Sequence, residues 1–135
     1  MFLDASAMIS IIAMEDDAMT LAARLGQARA VQTSAIALFE TAAGLARIAN
    51  APVADALAVV DRFLAEVNAT VIPIGSATGR EALAAFARFG KGRHAARLNM
   101  GDCFAYAVAK SRNASILFVG DDFTHTDLID ALASP

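Results

Sequence analysis

The sequence predicts an α/β domain built on a mainly parallel sheet with helices covering both faces. Three observations carry this. Short apolar runs of strand length alternate with longer helical segments, which is the signature of β–α–β units. The strand-like runs are apolar almost throughout, as in strands buried on both sides. The 135 residues are enough for one domain with a real core, spanning 1–135, and no linker, repeat or low-complexity tract divides them.

The elements follow in order. Residues 1–4 form a short buried strand ending at Asp4, and an apolar helical pattern runs from Ser6 to about Ala13. Glu15-Asp16-Asp17 opens a second helix that stops near Gly26. Ala30-Val31-Gln32 is strand-like, and Thr33 or Ser34 caps a helix from Ala35 to about Asn50. Pro52 suits the first turn of the next helix, which ends near Val67. Thr70–Ile74 is a β-branched strand whose Pro73 points to a sheet edge or a strand end. A helix from Gly75 to about Phe89 leads into the basic loop Gly90-Lys91-Gly92-Arg93. Another begins near Asn99–Gly101 and runs to about Arg112. Ser115–Val119 is the clearest strand, Gly120 breaks it, and a final helix begins around Thr126-Asp127.

Composition narrows the class. Hydrophobic residues make up 57%, much of it alanine suited to close helix packing. No apolar run reaches the roughly 18 residues of a membrane span. The N-terminus lacks a basic region before its first carboxylate, so a signal peptide is not expected. Cys103 is the single cysteine, which leaves no internal disulfide and makes a cytoplasmic location the default expectation. The net charge of −3 hides an asymmetry. Arg80, Arg88, Lys91, Arg93, Arg97, Lys110 and Arg112 face only Glu81 and Asp102 across one stretch, a pattern that suits either a solvated helix face or a surface for a phosphodiester polymer.

Four acidic landmarks carry the chemistry: Asp4, Glu40, Asp102 and the pair Asp121-Asp122. Asp4 and the pair fall at strand ends, where open α/β sheets bind ligands. Glu40 shares an apolar helix stripe with Ile36 and Ala43, with Phe39 adjacent and Arg47 two turns on. Asp102 opens a helix that is apolar nearly all round. Each has a structural explanation alone: Asp4 as a helix cap, Glu40 in an ion pair, Asp102 against the helix dipole, one of the pair closing a turn. Brought together they would repel and raise one another's pKa, which a divalent cation relieves. Oxygen donors without partner histidines or thiols suit Mg²⁺ or Mn²⁺, not zinc. His94 and His125 lie far apart in the chain, and Cys103 has no thiol partner. No phosphate-cradling glycine loop supports a nucleotide cofactor.

Across nearly its whole length the chain resembles the PIN-domain ribonucleases, and specifically the VapC-type toxins of bacterial type II toxin–antitoxin systems. The resemblance rests on Asp4-Ala-Ser-Ala, on Glu40 followed by an alanine-rich helix with Arg47, on His94 leading into Leu98-Asn99-Met100-Gly101-Asp102-Cys103-Phe104-Ala105-Tyr106-Ala107, and on Leu117–Phe123 with Thr126-Asp127. It implies a three-layer α/β/α sandwich, a homodimer, an RNA substrate and a cognate VapB-type antitoxin. The family's acidic quartet falls on Asp4, Glu40, Asp102 and one of the final pair, with Asp122 preferred and Asp121 in reserve. His94-Ala95 departs from a frequent His-Pro, and Arg97 is an unusual basic residue before Leu98.

The expected reaction is Mg²⁺-dependent hydrolysis of an RNA phosphodiester. Asp4 and Asp102 are the expected direct ligands, and Glu40 with Asp122 would orient water or help to hold a second ion. Lys91, Arg93, His94 and Arg97 would attract the RNA backbone, and Ser6 would support the site from behind. Phe89 and Tyr106 are read as core aromatics, with base stacking the alternative. Two other functions compete: an inactive PIN-like domain that only binds RNA or protein, and a Mg²⁺-dependent phosphatase using Asp4 as nucleophile, which lacks a plainly placed lysine.

Overall fold

A computed structural model describes residues 1–133. Four parallel strands form one sheet: β1 (Phe2–Leu3), β2 (Val31–Ser34), β3 (Ala69–Ile72) and β4 (Ile116–Leu117), in the order β3-β2-β1-β4. Helices α1 (Ala5–Ile12) and α2 (Ala18–Gly26) connect β1 to β2. Helices α3 (Ala35–Ala49) and α4 (Val53–Glu66) connect β2 to β3, and α5 (Ser76–Phe89) and α6 (Met100–Ser111) connect β3 to β4. The first two crossovers step one way along the sheet and the third returns past β1. Right-handed crossovers therefore place α1–α4 on one face and α5–α6 on the other. This is the expected three-layer sandwich.

The central strands are sealed on both sides. Phe2, Leu3, Ile116 and Leu117 are fully buried, as their unbroken apolar runs require. Strand-to-helix turns are fixed by short polar side chains. Asp4 caps α1 by accepting from Ser6 N, and Ser34 caps α3 by accepting from Ala37 N at 3.1 Å. Thr33 donates its hydroxyl to the carbonyl of Leu3 at 2.8 Å, tying the end of β2 to β1. Helices α1 and α3 approach closely at Gly44, where a Cβ would come within 2.8 Å of Ile9 Cδ1. That contact sets the floor of the cleft described below.

The structure departs from the sequence reading mainly near the C-terminus. No helix begins at Thr126-Asp127. Instead a 3-10 turn spans Asp122–His125, and the chain then bends through 126–128 before an isolated bridge at Asp130. The cause is the open edge of β4: Ile116 N donates to Ile129 O, and Ala131 N donates to Ile116 O, both at 2.9 Å. Residues 129–131 thus pair with the sheet, which a helix could not do. Strand β4 is also shorter than Ser115–Val119, because Val119 N donates to the Ser6 hydroxyl instead of to another strand. Helix α2 begins at Ala18, after the acidic triplet. Strand β3 ends before Pro73 and lies at a sheet edge, as that proline indicated. Among the described residues, no helix is long and apolar enough to cross a membrane.

Candidate active site

The strand order reverses between β1 and β4, and both strands end at the same side of the sheet. Asp4 leaves β1 there, and Asp121-Asp122 follow β4. Helix α3 brings Glu40 to this side and the first turn of α6 brings Asp102. Asp4, Ser6, Glu40, Arg47 and Asp102 line one cleft of about 560 Å³, with Ile9, Phe39, Ala43 and Gly44 completing its walls.

Asp4 is buried, and Ser6 holds it. One carboxylate oxygen accepts from Ser6 N at 3.0 Å and from Ser6 Oγ at 2.5 Å, while Ser6 Oγ accepts from Val119 N at 3.0 Å. The hydroxyl therefore links the ends of β1 and β4 through the carboxylate. Burial pushes the Asp4 carboxyl above its ordinary range, the Ser6 and Ala5 hydrogen bonds oppose this, and the nearby charge of Asp122 adds to the rise.

Asp102 closes a reciprocal cap on α6. Its N–H donates to Asn99 Oδ1 at 2.9 Å, and its carboxylate accepts from Asn99 N at 3.0 Å. Burial, with the charges of Asp122 and Asp4, still raises its pKa to about 6, against the Asn99 hydrogen bond. Glu40 is raised to about 7, by burial first and then by Asp4 and Asp102. Its carboxyl group lies directly over the α-carbon of Gly101, so a Cβ at that position would overlap it.

Asp122 and Asp121 separate in their surroundings. Both are exposed, but the charge of Asp122 bears on Asp4 and Asp102. The carbonyl of Asp121 accepts from Thr124 N and Thr124 Oγ1, closing the 3-10 turn. Mutual repulsion among buried and half-buried carboxylates, with oxygen donors only, fits a hard divalent cation. Among the described residues, no three of His, Cys, Asp and Glu converge tightly enough to coordinate one ion together.

With this geometry in place, comparison with known proteins is decisive. The family model described as PIN domain matches residues 1–128. The chain belongs to the PIN-domain family. Within the family it is similar to a VapC ribonuclease of Rhizobium meliloti, 39% identical over 94% of this chain and 98% of the relative. It is likewise similar to ribonuclease VapC28 of Mycobacterium tuberculosis, 38% identical with 98% of each chain covered. The crystal structure of Mycobacterium tuberculosis VapC20, described as a sarcin-ricin loop cleaving toxin, shares the fold. Its TM-score is 0.77 at 17% identity, covering 96% of both chains.

In this PIN domain the basic residues predicted to meet substrate stand apart from the carboxylates. Lys91, Arg93, His94 and Arg97 line a separate open hollow of about 590 Å³. Arg93 stacks on Phe86, and His94 sits edge-on to Phe89 while its Nδ1 accepts from Ala96 N. The cation that does line the cleft is Arg47. Ion pairs among the described residues join Arg88 and Lys110 to Asp127, and none involves Arg47. Phe89 and Tyr106 are buried and pack together at 5.3 Å, so neither presents a face to a base. Phe39, by contrast, is 71% exposed and lines the cleft. Cys103 is buried, and its thiol is pushed up to about 11, which keeps it neutral.

Sequence reasoning missed Gly101, Phe39 and the Asn99–Asp102 cap. Asn99-x-x-Asp102 resembles a capping-box pattern and was a usable signal. Gly101 becomes meaningful only once α3 and α6 are known to touch.

Proposed function

We propose that this PIN domain is a divalent-metal-dependent ribonuclease toxin of a type II toxin–antitoxin system. The observation that carries the proposal is the convergence of Asp4, Glu40 and Asp102 on one cleft, with the charge of Asp122 reaching two of them. Family membership supports RNA as the substrate. Asp4 and Asp102 would hold Mg²⁺, with Mn²⁺ as a substitute. When bound, the cation supplies Lewis-acid polarisation of the phosphate and a lowered pKa for water.

The side chains do the remaining work. Glu40 titrates near neutrality and accepts a proton at its carboxylate. Asp122, exposed and with its charge bearing on Asp4 and Asp102, orients water. Ser6 fixes the Asp4 carboxylate through two hydrogen bonds, so that it need not reorganise during reaction. Arg47 draws phosphate into the cleft, and Lys91, Arg93, His94 and Arg97 attract the RNA backbone outside it. The reading carries with it a cytoplasmic location, a homodimer and a cognate VapB-type antitoxin.

Incubating the purified protein with RNA in Mg²⁺ or Mn²⁺ tests the proposal. Cleavage that disappears in Asp4→Ala and Asp102→Ala supports it. No cleavage under either metal, together with normal growth of cells expressing the protein, would reject it.

A further inference from the structure

We infer that the exposed flank of α3 is a binding subsite for a single-stranded stretch of RNA. Phe39 would stack on one base and Arg47 would bind a phosphate beyond it. The inference rests on the ribonuclease reading and goes further, because it names the strand's track and the features it reads.

Three observations place the track. Phe39 is a large apolar side chain left 71% exposed beside a charged cleft, although most of the large apolar side chains of this chain are at least partly buried. Arg47 lines the same cleft, and no carboxylate lies within ion-pair distance of it among the described residues. Ala43 lies between them and is too small to block the path. Phe39 and Arg47 are roughly 12 Å apart along the helix at 1.5 Å per residue. Glu40 sits beside Phe39 on the same helix, and Asp4 and Asp102 line the same cleft.

Chemistry selects the occupant. An exposed phenylalanine offers a π-face that any base can use once it is unstacked, and an unpaired arginine offers a phosphate site. A base still stacked within a duplex cannot reach Phe39. The subsite therefore selects looped or unpaired RNA and tolerates sequence variation.

Binding can be read without cleavage by using Asp102→Asn protein and a single-stranded oligoribonucleotide carrying a fluorescent adenine analogue. Quenching on binding is expected. Adding Phe39→Ala should abolish the quench and weaken binding by roughly 5- to 150-fold, the range of one base–aromatic stack. Phe39→Trp should restore both. Arg47→Ala should make the salt dependence of binding shallower by about 0.7 in log–log slope, the share of one phosphate on a single strand. Unchanged affinity and quench in Phe39→Ala would overturn the subsite. So would a change in oligomeric mass in Phe39→Ala with RNA binding intact, which would give the face to a second copy of the chain. If wild type cleaves RNA and Phe39→Ala does so with unchanged KM, the subsite fails while the ribonuclease reading stands. If wild type neither binds nor cleaves RNA, the ribonuclease reading itself fails.

Discussion

The Glu40 carboxyl group rests on the α-carbon of Gly101: a Cβ there would stand 2.6 Å from Oε1 and 2.7 Å from Cδ. One residue later in the same turn of α6 comes Asp102. The seat for one carboxylate and the origin of another are therefore adjacent in sequence, and any shift of α6 moves both. Gly101 is buried and helical, so space, not backbone conformation, is what demands glycine.

Gly101→Ala should accordingly displace Glu40 without unfolding the protein. A displacement of about 1 Å at a reacting group costs on the order of 100-fold in rate. In a Glu40→Gln background the same substitution should add little, because its effect acts through Glu40. Cleavage rates across this double-mutant cycle, with circular dichroism to confirm folding, check the expectation. Full additivity would show that Gly101 acts by another route.

The pH dependence of stability has a definite sign. Glu40 is raised from 4.5 to about 7 and Asp102 from 3.8 to about 6, burial being the first cause of both. The folded protein keeps protons that the unfolded chain releases. The stabilisation is full below the ordinary values and is lost as pH rises through about 6 and 7. Without added metal, Tm should fall across that window, and Glu40→Gln should flatten the fall. Added Mn²⁺ should raise Tm more above about pH 7 than near pH 5, where the carboxyls hold protons. Thermal melts over this range are the measurement.

Ser6 tests the link between strand ends. Its hydroxyl donates to Asp4 and accepts from Val119 N. Ser6→Ala leaves Val119 N without that partner and removes one of two hydrogen bonds holding the carboxylate. A loss of about 1–3 kcal/mol in stability is expected from denaturant melts, together with slower cleavage. Ser6→Thr, which keeps the hydroxyl, should recover most of both.

Asp127 has a structural role despite its place in the family-like motif. Tyr106 donates to it at 2.6 Å and Lys110 at 2.9 Å, with Arg88 at 3.5 Å. The Tyr106 hydrogen bond first, then Lys110, lowers Asp127 to about 2. Its contribution is present above the ordinary 3.8 and is lost as pH falls towards 2. Asp127→Asn should lower stability by roughly 1–2 kcal/mol, a hydrogen bond to a half-exposed charge. Cleavage at a temperature well below Tm should stay near wild type.

The sequence was readable where one segment determines its own structure. Phe2-Leu3 and Ile116-Leu117 are apolar on both faces and are buried strands. Ser34, Asn50 and Pro52 mark helix ends by their own conformational preferences. Tertiary pairing overrode local pattern at residues 129–131, which the β4 edge holds by backbone hydrogen bonds. Asp4, Glu40 and Asp102 could be singled out because carboxylates in apolar runs are costly. The Glu40–Gly101 contact and the exposure of Phe39 depend on distances between elements, which no local pattern encodes. The basic loop illustrates the same limit: its charge was legible, but not its separation from the cleft.

The most direct test of the account is one Mn²⁺ titration read in two ways on the same samples: bound Mn²⁺ by electron paramagnetic resonance and the initial rate of RNA cleavage. The account predicts that occupancy and rate rise together, and that Asp102→Asn suppresses both. Cleavage that persists at full rate in excess chelator, or an Asp102→Asn protein that cleaves as wild type does, would contradict it.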